Sequence, residues 1–172
     1  DESQLGLDKG IAAAQQIAKK NAAINVQTIA QKLSGESLLD AVSNADVVLD
    51  CTDNFTARQA INRACLSQRT PLVSAAAIRW EGQLVRFLYD TESAPCYECL
   101  YPALSDQQLS CNESGTIAPV VGLLGVYQAL EAIKLVSGCG TVRHGALKVF
   151  DGFEGHWREM RLTRDPECLA CC

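Results

Sequence analysis

Short apolar runs alternate with amphipathic segments along the first half of the chain. The alanine-rich segment after Asp8 repeats apolar residues at helical spacing, and Asp8 is a residue type that caps helices. The run from Asp46 to Asp50 is apolar and contains adjacent valines, which is typical of a strand buried on both faces in a parallel sheet. The predicted elements are helices over 9–20, 37–42 and 55–67 and strands over 24–29, 46–50 and 71–77. This alternation predicts an α/β doubly wound sheet up to residue 77.

The pattern changes in the second half of the chain. Residues 83–89 alternate as a strand, residues 90–114 have loop composition, and two further strands are predicted over 147–150 and 156–162. The long apolar stretch over 117–136 contains Gln128, Glu131 and Lys134, which favours a helix buried in the domain over a membrane span. Since no internal repeat or linker-like tract is visible, we expect one domain, or most of one.

Composition narrows the class of protein. The chain has 172 residues, 48% of them hydrophobic, and a formal net charge of −5, which fits a soluble globular protein and argues against nucleic acid as the main partner. It has nine cysteines, an odd number, and Cys51 and Cys65 lie in apolar runs. A reducing cytosol explains these cysteines better than a secreted disulfide framework. We therefore expect a cytoplasmic protein that does not bind membranes.

Two Cys-x-x-Cys units lie far apart in the sequence. The first is Cys96 with Cys99, and the second, at the end of the chain, is Cys168 with Cys171. This spacing lets both thiolates of a unit bind one metal ion, and two units supply the four sulfurs of a closed, structural zinc site. The alternative interpretation is two disulfides or unpaired thiols.

Polar residues follow the predicted strand over 46–50, where doubly wound sheets bind ligands. The carboxylate of Asp53 could hold Mg²⁺ against phosphates, since that ion prefers oxygen ligands. Alternatively, Asp53 or Asn54 caps the helix that follows. Lys9 lies near a predicted helix start, where its charge opposes the helix dipole, so it is either a solvated lysine or a phosphate ligand. Cys111, in a polar loop, is either a reactive thiol or an incidental surface thiol.

Together these segments resemble the ThiF/MoeB/HesA family of ubiquitin-activating-enzyme-like adenylyltransferases. The resemblance covers nearly the whole chain and depends on motifs in a fixed order. The matching segments are residues 45–54 with Arg58, Asn62 and Cys65, then residues 70–74, 76–83, 95–100 and 122–134, and the closing Cys-x-x-Cys unit.

The resemblance implies a Rossmann-like fold, a mostly parallel sheet with antiparallel C-terminal strands, and a four-cysteine zinc site. It implies an enzyme that uses ATP and Mg²⁺ to adenylylate the C-terminal glycine of a ubiquitin-like sulfur-carrier protein of the ThiS or MoaD type. The product would serve thiamine or molybdopterin biosynthesis, and the enzyme would be a homodimer. A non-catalytic fragment or scaffold that docks the carrier without activating it is the alternative.

The resemblance also implies roles for individual residues. It matches Asp53 to the metal-binding aspartate, Asn54 to a neighbour of the nucleotide, and Lys9 to the phosphate-binding lysine. It matches Cys111 to a cysteine that forms a covalent link with the carrier in ThiF-type members. The zinc ligands are Cys96, Cys99, Cys168 and Cys171.

One departure from the family pattern concerns the nucleotide-binding loop. The family has a glycine-rich loop in its N-terminal third, and no Gly-x-Gly-x-x-Gly occurs in this sequence. We therefore expect residues 1–172 to be the C-terminal two-thirds of a single ThiF/MoeB-like domain, inactive alone and poor at binding ATP. The motifs do not decide between the ThiF and MoeB types.

Overall fold

The computed structural model describes residues 4–102 and 115–172, and it divides the chain into two compact units, 1–34 and 35–172. In the first unit, helix α1 spans Lys9–Lys20. The Asp8 carboxylate accepts hydrogen bonds from the backbone N–H groups of Gly10 and Ile11, at 2.9 and 3.2 Å, so the predicted cap is confirmed. The predicted strand over 24–29 is wrong, because this segment is irregular and pairs with no other segment among the described residues.

The second unit is built on a five-stranded mixed sheet in the order β1-β2-β3-β4-β5. Strand β1 pairs parallel with β2, and the other three pairings are antiparallel. The strands are β1 Val48–Asp50, β2 Leu72–Ile78, β3 Glu81–Phe87, β4 Ala146–Asp151 and β5 His156–Arg161. The predicted α/β class and the antiparallel C-terminal strands are confirmed, and the described part of the sheet has parallel pairing only between β1 and β2.

Helices cover both faces of this sheet. Neighbouring strand residues belong to different cores, since Leu72 packs with the residues around the helix that begins at Phe55 and Val73 packs with the long helix that begins at Ala118. The helices of the second unit are α2 Glu36–Ser43, α3 Phe55–Gln68, α4 Tyr97–Leu100 and α5 Ala118–Ser137. A β-carbon on Gly82 would lie 2.8 Å from a methyl group of Leu124, so glycine at this position lets α5 approach β3 closely.

Strand β1 differs from its prediction. It lies at the edge of the described sheet, and Leu49 is 43% exposed, so this strand is not buried on both faces. A strand at an edge has one unpaired row of backbone groups and one incompletely covered side chain.

Helix α5 is buried on one side only. Its buried residues are Val120, Leu124, Gln128 and Glu131, whereas Val126 and Ile133, on the opposite side, are 73% and 63% exposed. By length and composition α5 is the one helix among the described residues that could cross a membrane. Its polar residues Gln128 and Glu131 face the sheet, so the expected packing of α5 on the domain is confirmed, and the opposite side of the helix is exposed.

Candidate active site and metal centre

A buried carboxylate anchors the start of the loop between β1 and α3 through hydrogen bonds. Asp50 is 1% exposed and accepts hydrogen bonds from Thr52 N, Thr52 Oγ1 and Ser74 Oγ, at 2.9, 2.7 and 2.9 Å. Gln128 of α5 donates to the backbone carbonyls of Asp50 and Val73, at 3.0 and 2.8 Å. These bonds join β1, β2 and α5, so the loop starts from a fixed position.

Arg58 holds the next part of the loop. Its Nε and Nη2 atoms both donate to the carbonyl oxygen of Thr52, at 3.1 and 2.5 Å. The Asn54 side chain accepts from Ala57 N at 2.8 Å and thereby caps α3. Asp53 lies between these two anchored residues with its side chain exposed, so its carboxylate is positioned and accessible.

Two cavities meet at Asp53, one on each side of the sheet end. The cavity on the α3 side is about 220 Å³ and is lined by Asp53, Asn54, Phe55, Arg58, Ala76, Ala77, Ile78, Glu81, Gln83 and Tyr101. The cavity on the α5 side is about 230 Å³ and shares Asp53, Arg58, Ala76 and Ala77 with the first. Because the two cavities share these four residues, we describe them together as one cleft around the Asp53 carboxylate. Each alone is smaller than the roughly 300 Å³ of an ordinary ligand pocket.

Several residues of this cleft were not assigned a role from the sequence. Tyr101 donates a hydrogen bond to Gln83 and packs edge-on against Phe55, with ring centroids 6.0 Å apart. Arg58 was visible only as part of a family motif. Its position one turn into the helix after a strand end is a local signal that could have identified it, whereas nothing local brings Gln83 and Tyr101 together.

The other predicted residues of the active site have different outcomes. Asn54 both lines the cleft and caps α3, so the capping interpretation is confirmed for Asn54 while its contact with nucleotide stays a prediction. Lys9 is exposed in the first turn of α1, within the first unit, and its role also stays a prediction. Cys111 lies outside the described residues.

Cys51 lines the cleft, and its surroundings disfavour the reactive thiolate form. Its thiol donates to Gln128 Oε1 at 3.2 Å, and burial together with the nearby Asp50 carboxylate raises the pKa of Cys51. A protonated thiol is a poor nucleophile.

The four predicted metal ligands lie together. The sulfur atoms of Cys96, Cys99, Cys168 and Cys171 are all within 4.8 Å of one another. Three of the separations are 3.8, 3.6 and 3.5 Å, far longer than the roughly 2.05 Å of a disulfide. A tetrahedral ion with metal–sulfur bonds of about 2.3 Å places its sulfurs about 3.8 Å apart. The four thiols therefore fit one tetrahedral metal ion, and the disulfide alternative does not fit.

Because the cysteine group is largely buried, its thiolate form needs a cation beside it to be stable. Cys96 is 0% exposed and Cys168 is 4% exposed. Burial raises the pKa of Cys96 to about 12, so its thiolate form needs a positive charge beside it. A metal ion bound by all four sulfurs would have no position left for a substrate, which is the arrangement of a structural centre.

A buried polar cluster connects the first pair of cysteines to α3. Asn62 Oδ1 accepts from Tyr97 N and from Tyr89 Oη, both at 2.9 Å, and Asn62 Nδ2 donates to Glu98 Oε1 at 3.1 Å. Arg63 binds both oxygens of Glu98, at 2.9 and 2.7 Å. Since Tyr97 and Glu98 lie between Cys96 and Cys99, this cluster fixes the orientation of the cysteine pair.

Comparison with known proteins gives a consistent result. The model of the ThiF family matches residues 1–170. Sulfur carrier protein ThiS adenylyltransferase of Escherichia coli (strain K12) is 45% identical over 157 residues, which is 91% of this chain and 62% of that protein. Molybdopterin-synthase adenylyltransferase of Salmonella typhimurium is 36% identical over 170 residues, which is 99% of this chain and 68% of that protein. A crystal structure of E. coli MccB with ATP shares the fold, with a TM-score of 0.79 at 18% identity, over 100% of this chain and 53% of that chain.

Proposed function

The chain belongs to the ThiF family, and we propose that its parent protein adenylylates the C-terminal glycine of a ubiquitin-like sulfur-carrier protein, using ATP. The observation that carries this proposal is the 45% identity to a ThiS adenylyltransferase over 91% of the chain. The exposed Asp53 carboxylate in a preformed cleft at the end of β1 supports it, because ligands of doubly wound sheets bind there.

The proposed reaction is a transfer of an adenylyl group. An oxygen of the carrier's terminal carboxylate forms a bond to the α-phosphorus of ATP, the bond from that phosphorus to the bridging oxygen breaks, and pyrophosphate leaves with the electron pair. In this scheme Asp53 holds Mg²⁺, which offsets phosphate charge when bound, and Asn54 lies beside the nucleotide. Lys9 contributes a further positive charge toward the phosphates. Arg58 keeps the Asp53 loop in place through the Thr52 carbonyl.

Pyrophosphate exchange by the full-length protein tests this proposal. Asp53→Asn should lower exchange by about a hundredfold or more, since a group that positions charge at the phosphates is lost. Asp46→Asn is the matched control, because Asp46 is exposed and precedes β1 at the far end of the strand. Full exchange in Asp53→Asn would refute the role of Asp53. Tight carrier binding without any exchange would favour the docking scaffold instead.

We propose a ThiS-type carrier and thiamine biosynthesis, because the identity to a ThiS adenylyltransferase is higher than that to a molybdopterin-synthase adenylyltransferase, 45% against 36%. A cytoplasmic location remains a proposal from the cysteine composition. Exchange assays with ThiS-type and MoaD-type carriers side by side test this choice. Cys111→Ala should keep exchange and remove only a covalent adduct with the carrier.

Zinc is the metal that we propose for the four-cysteine centre, since a closed set of four thiolates in tetrahedral geometry is typical of structural zinc. Elemental analysis should find about one zinc per chain. For residues 1–172 alone we expect weak ATP binding. Micromolar binding in a calorimetric titration would refute our proposal that this chain is the C-terminal two-thirds of the domain.

We also propose that the protein is a homodimer with α5 at its centre. The outward face of α5 carries no charged side chain, so two copies can pair there without repulsion between like charges. This face consists of Leu123, Val126, Leu130, Ile133 and Val136, all at least 39% exposed. Val126→Asp should weaken the dimer by tenfold or more in sedimentation experiments, because it buries an unpaired charge. The control Ile24→Asp, at a site 54% exposed in the first unit, should leave it unchanged.

A further inference from the structure

A cavity at the end of the sheet farthest from Asp53 is rich in positive charge. It measures about 310 Å³ and lies on the α5 side of the sheet. Four of its lining residues are basic and two are acidic, giving a formal balance of +2. The charged residues are Arg86, Lys134, Arg143, Lys148, Glu131 and Glu159.

Ion pairs inside the cavity account for only part of this charge. Arg86 Nη1 donates to Glu131 Oε2 at 2.5 Å, and Lys134 Nζ lies 3.1 Å from the other oxygen of Glu131. Lys148 pairs with Glu159 at 3.1 Å. The first group therefore keeps one positive charge, the second is neutral, and Arg143 adds a further charge with no carboxylate bound to it in the described part of the chain.

Arg86 lines this cavity and has a buried donor that is not used. Its side chain is 4% exposed, yet its Nε atom has no hydrogen-bond partner among the described residues. A buried donor without an acceptor is destabilising, so such groups usually have a ligand or water as their partner. Attraction to the C-terminal end of α5 explains Lys134 in the last turn. It does not explain a buried arginine on β3 with a free donor.

We propose that this cavity binds a phosphate group, either as inorganic phosphate or as a small phosphate monoester. The charge of a phosphate dianion matches the balance of +2, and a tetrahedral oxyanion offers acceptors to the guanidinium groups of Arg86 and Arg143 at once. The hydroxyl groups of Tyr127 and Thr141, which also line the cavity, supply neutral donors. The cavity shares no lining residue with the cleft at Asp53, so this site is independent of the adenylylation site.

Calorimetric titration of the chain tests the proposal, without Mg²⁺ and at constant ionic strength. The probes are inorganic phosphate and glycerol 3-phosphate, with chloride as the negative control. Arg143→Gln should weaken phosphate binding by about tenfold or more, because one charged donor is lost and the exposed Arg143 is not needed for folding. The matched control is Arg158→Gln. Arg158 pairs with Val149, which packs against the core on the opposite face of the sheet, so this variant should change affinity less than about twofold.

Spectroscopy on the unmodified chain gives a second readout. The NMR signal of the Arg86 Nε–H group should shift on addition of phosphate and not on addition of chloride. Tighter binding of glycerol 3-phosphate than of phosphate would identify a monoester as the ligand, and the reverse would identify the free ion. Phosphate binding that equals chloride binding, or equal affinity in Arg143→Gln and the unmodified chain, would overturn the proposal.

Discussion

Asn62 is the fully buried residue of α3 that supports the proposed metal centre, and its replacement gives the sharpest test of this architecture. Its side chain is fully buried and makes three hydrogen bonds, two accepted from Tyr89 Oη and Tyr97 N and one donated to Glu98. Asn62→Ala removes all three of these hydrogen bonds at once. Glu98 keeps its two bonds to Arg63, but the Tyr89 hydroxyl and the Tyr97 N–H lose their acceptor inside the core.

The expected loss of stability follows from these two donors, which have no acceptor in the variant. Each buried donor without a partner costs about 1–3 kcal/mol, so the free energy of unfolding should fall by about 4 kcal/mol. That is a large share of the roughly 5–15 kcal/mol that stabilises an ordinary domain. Because Tyr97 directly follows Cys96, the cysteine pair should also become more mobile, and metal should leave faster.

Two measurements on the metal-loaded chain check this expectation. Equilibrium unfolding in denaturant gives the change in free energy, and transfer of metal to a coloured chelator gives the release rate. Asn44→Ala is the control, because Asn44 is exposed and its side chain bonds only within its own helix end. If Asn62→Ala unfolds within about 1 kcal/mol of the unmodified chain and releases metal at the same rate, the supporting role of Asn62 is refuted.

Three further predictions concern the cysteines and the half-buried His144. Cys168→Ser should lose the metal and melt at lower temperature, whereas Cys172→Ser, an exposed neighbour outside the sulfur cluster, should keep it in elemental analysis. Burial and the Asp50 carboxylate raise the pKa of Cys65 to about 12, so iodoacetamide at about pH 8 should modify the exposed Cys139 and spare Cys65 until the chain unfolds, as mass spectrometry would show. Burial lowers the pKa of His144 below its ordinary value of about 6.5, so the unfolded chain binds the proton more readily and stability falls as pH drops through that value. His144→Gln should lose less stability than the unmodified chain between about pH 7.5 and 5.5, and equal losses in denaturant titrations would contradict this.

Features with a local signature were predictable from the sequence. The cap at Asp8 depends on residues within three positions, and the structure has it as predicted. The cysteine pairs were predictable because their spacing itself reports the geometry that a metal ion needs. Helices α3 and α5 were predictable because apolar residues recur over a long segment in each.

Features that depend on a distant partner were not predictable. An apolar run shows that a segment can be buried, but not which element covers it, which is why the burial of β1 was overestimated. The bond between Asn62 and Glu98 joins residues 36 positions apart, and the pair of Arg86 with Glu131 joins residues 45 positions apart. No local pattern in the sequence predicts either pair, because the partners are too far apart along the chain.

The metal centre and the cleft at Asp53 depend on the same two helices, so they are mechanically connected. Helix α3 begins with the Asn54 cap at the cleft and, two turns later, presents Asn62 to the cysteine pair. Helix α4 carries that pair, and directly after its end Tyr101 lines the cleft through its bond to Gln83. A metal ion that holds Cys96 and Cys99 therefore also holds the backbone that positions Tyr101, only two residues beyond Cys99. A metal ion bound there would influence the proposed chemistry without taking part in it, because it would fix one wall of the cleft in which we propose that Asp53 and Arg58 act.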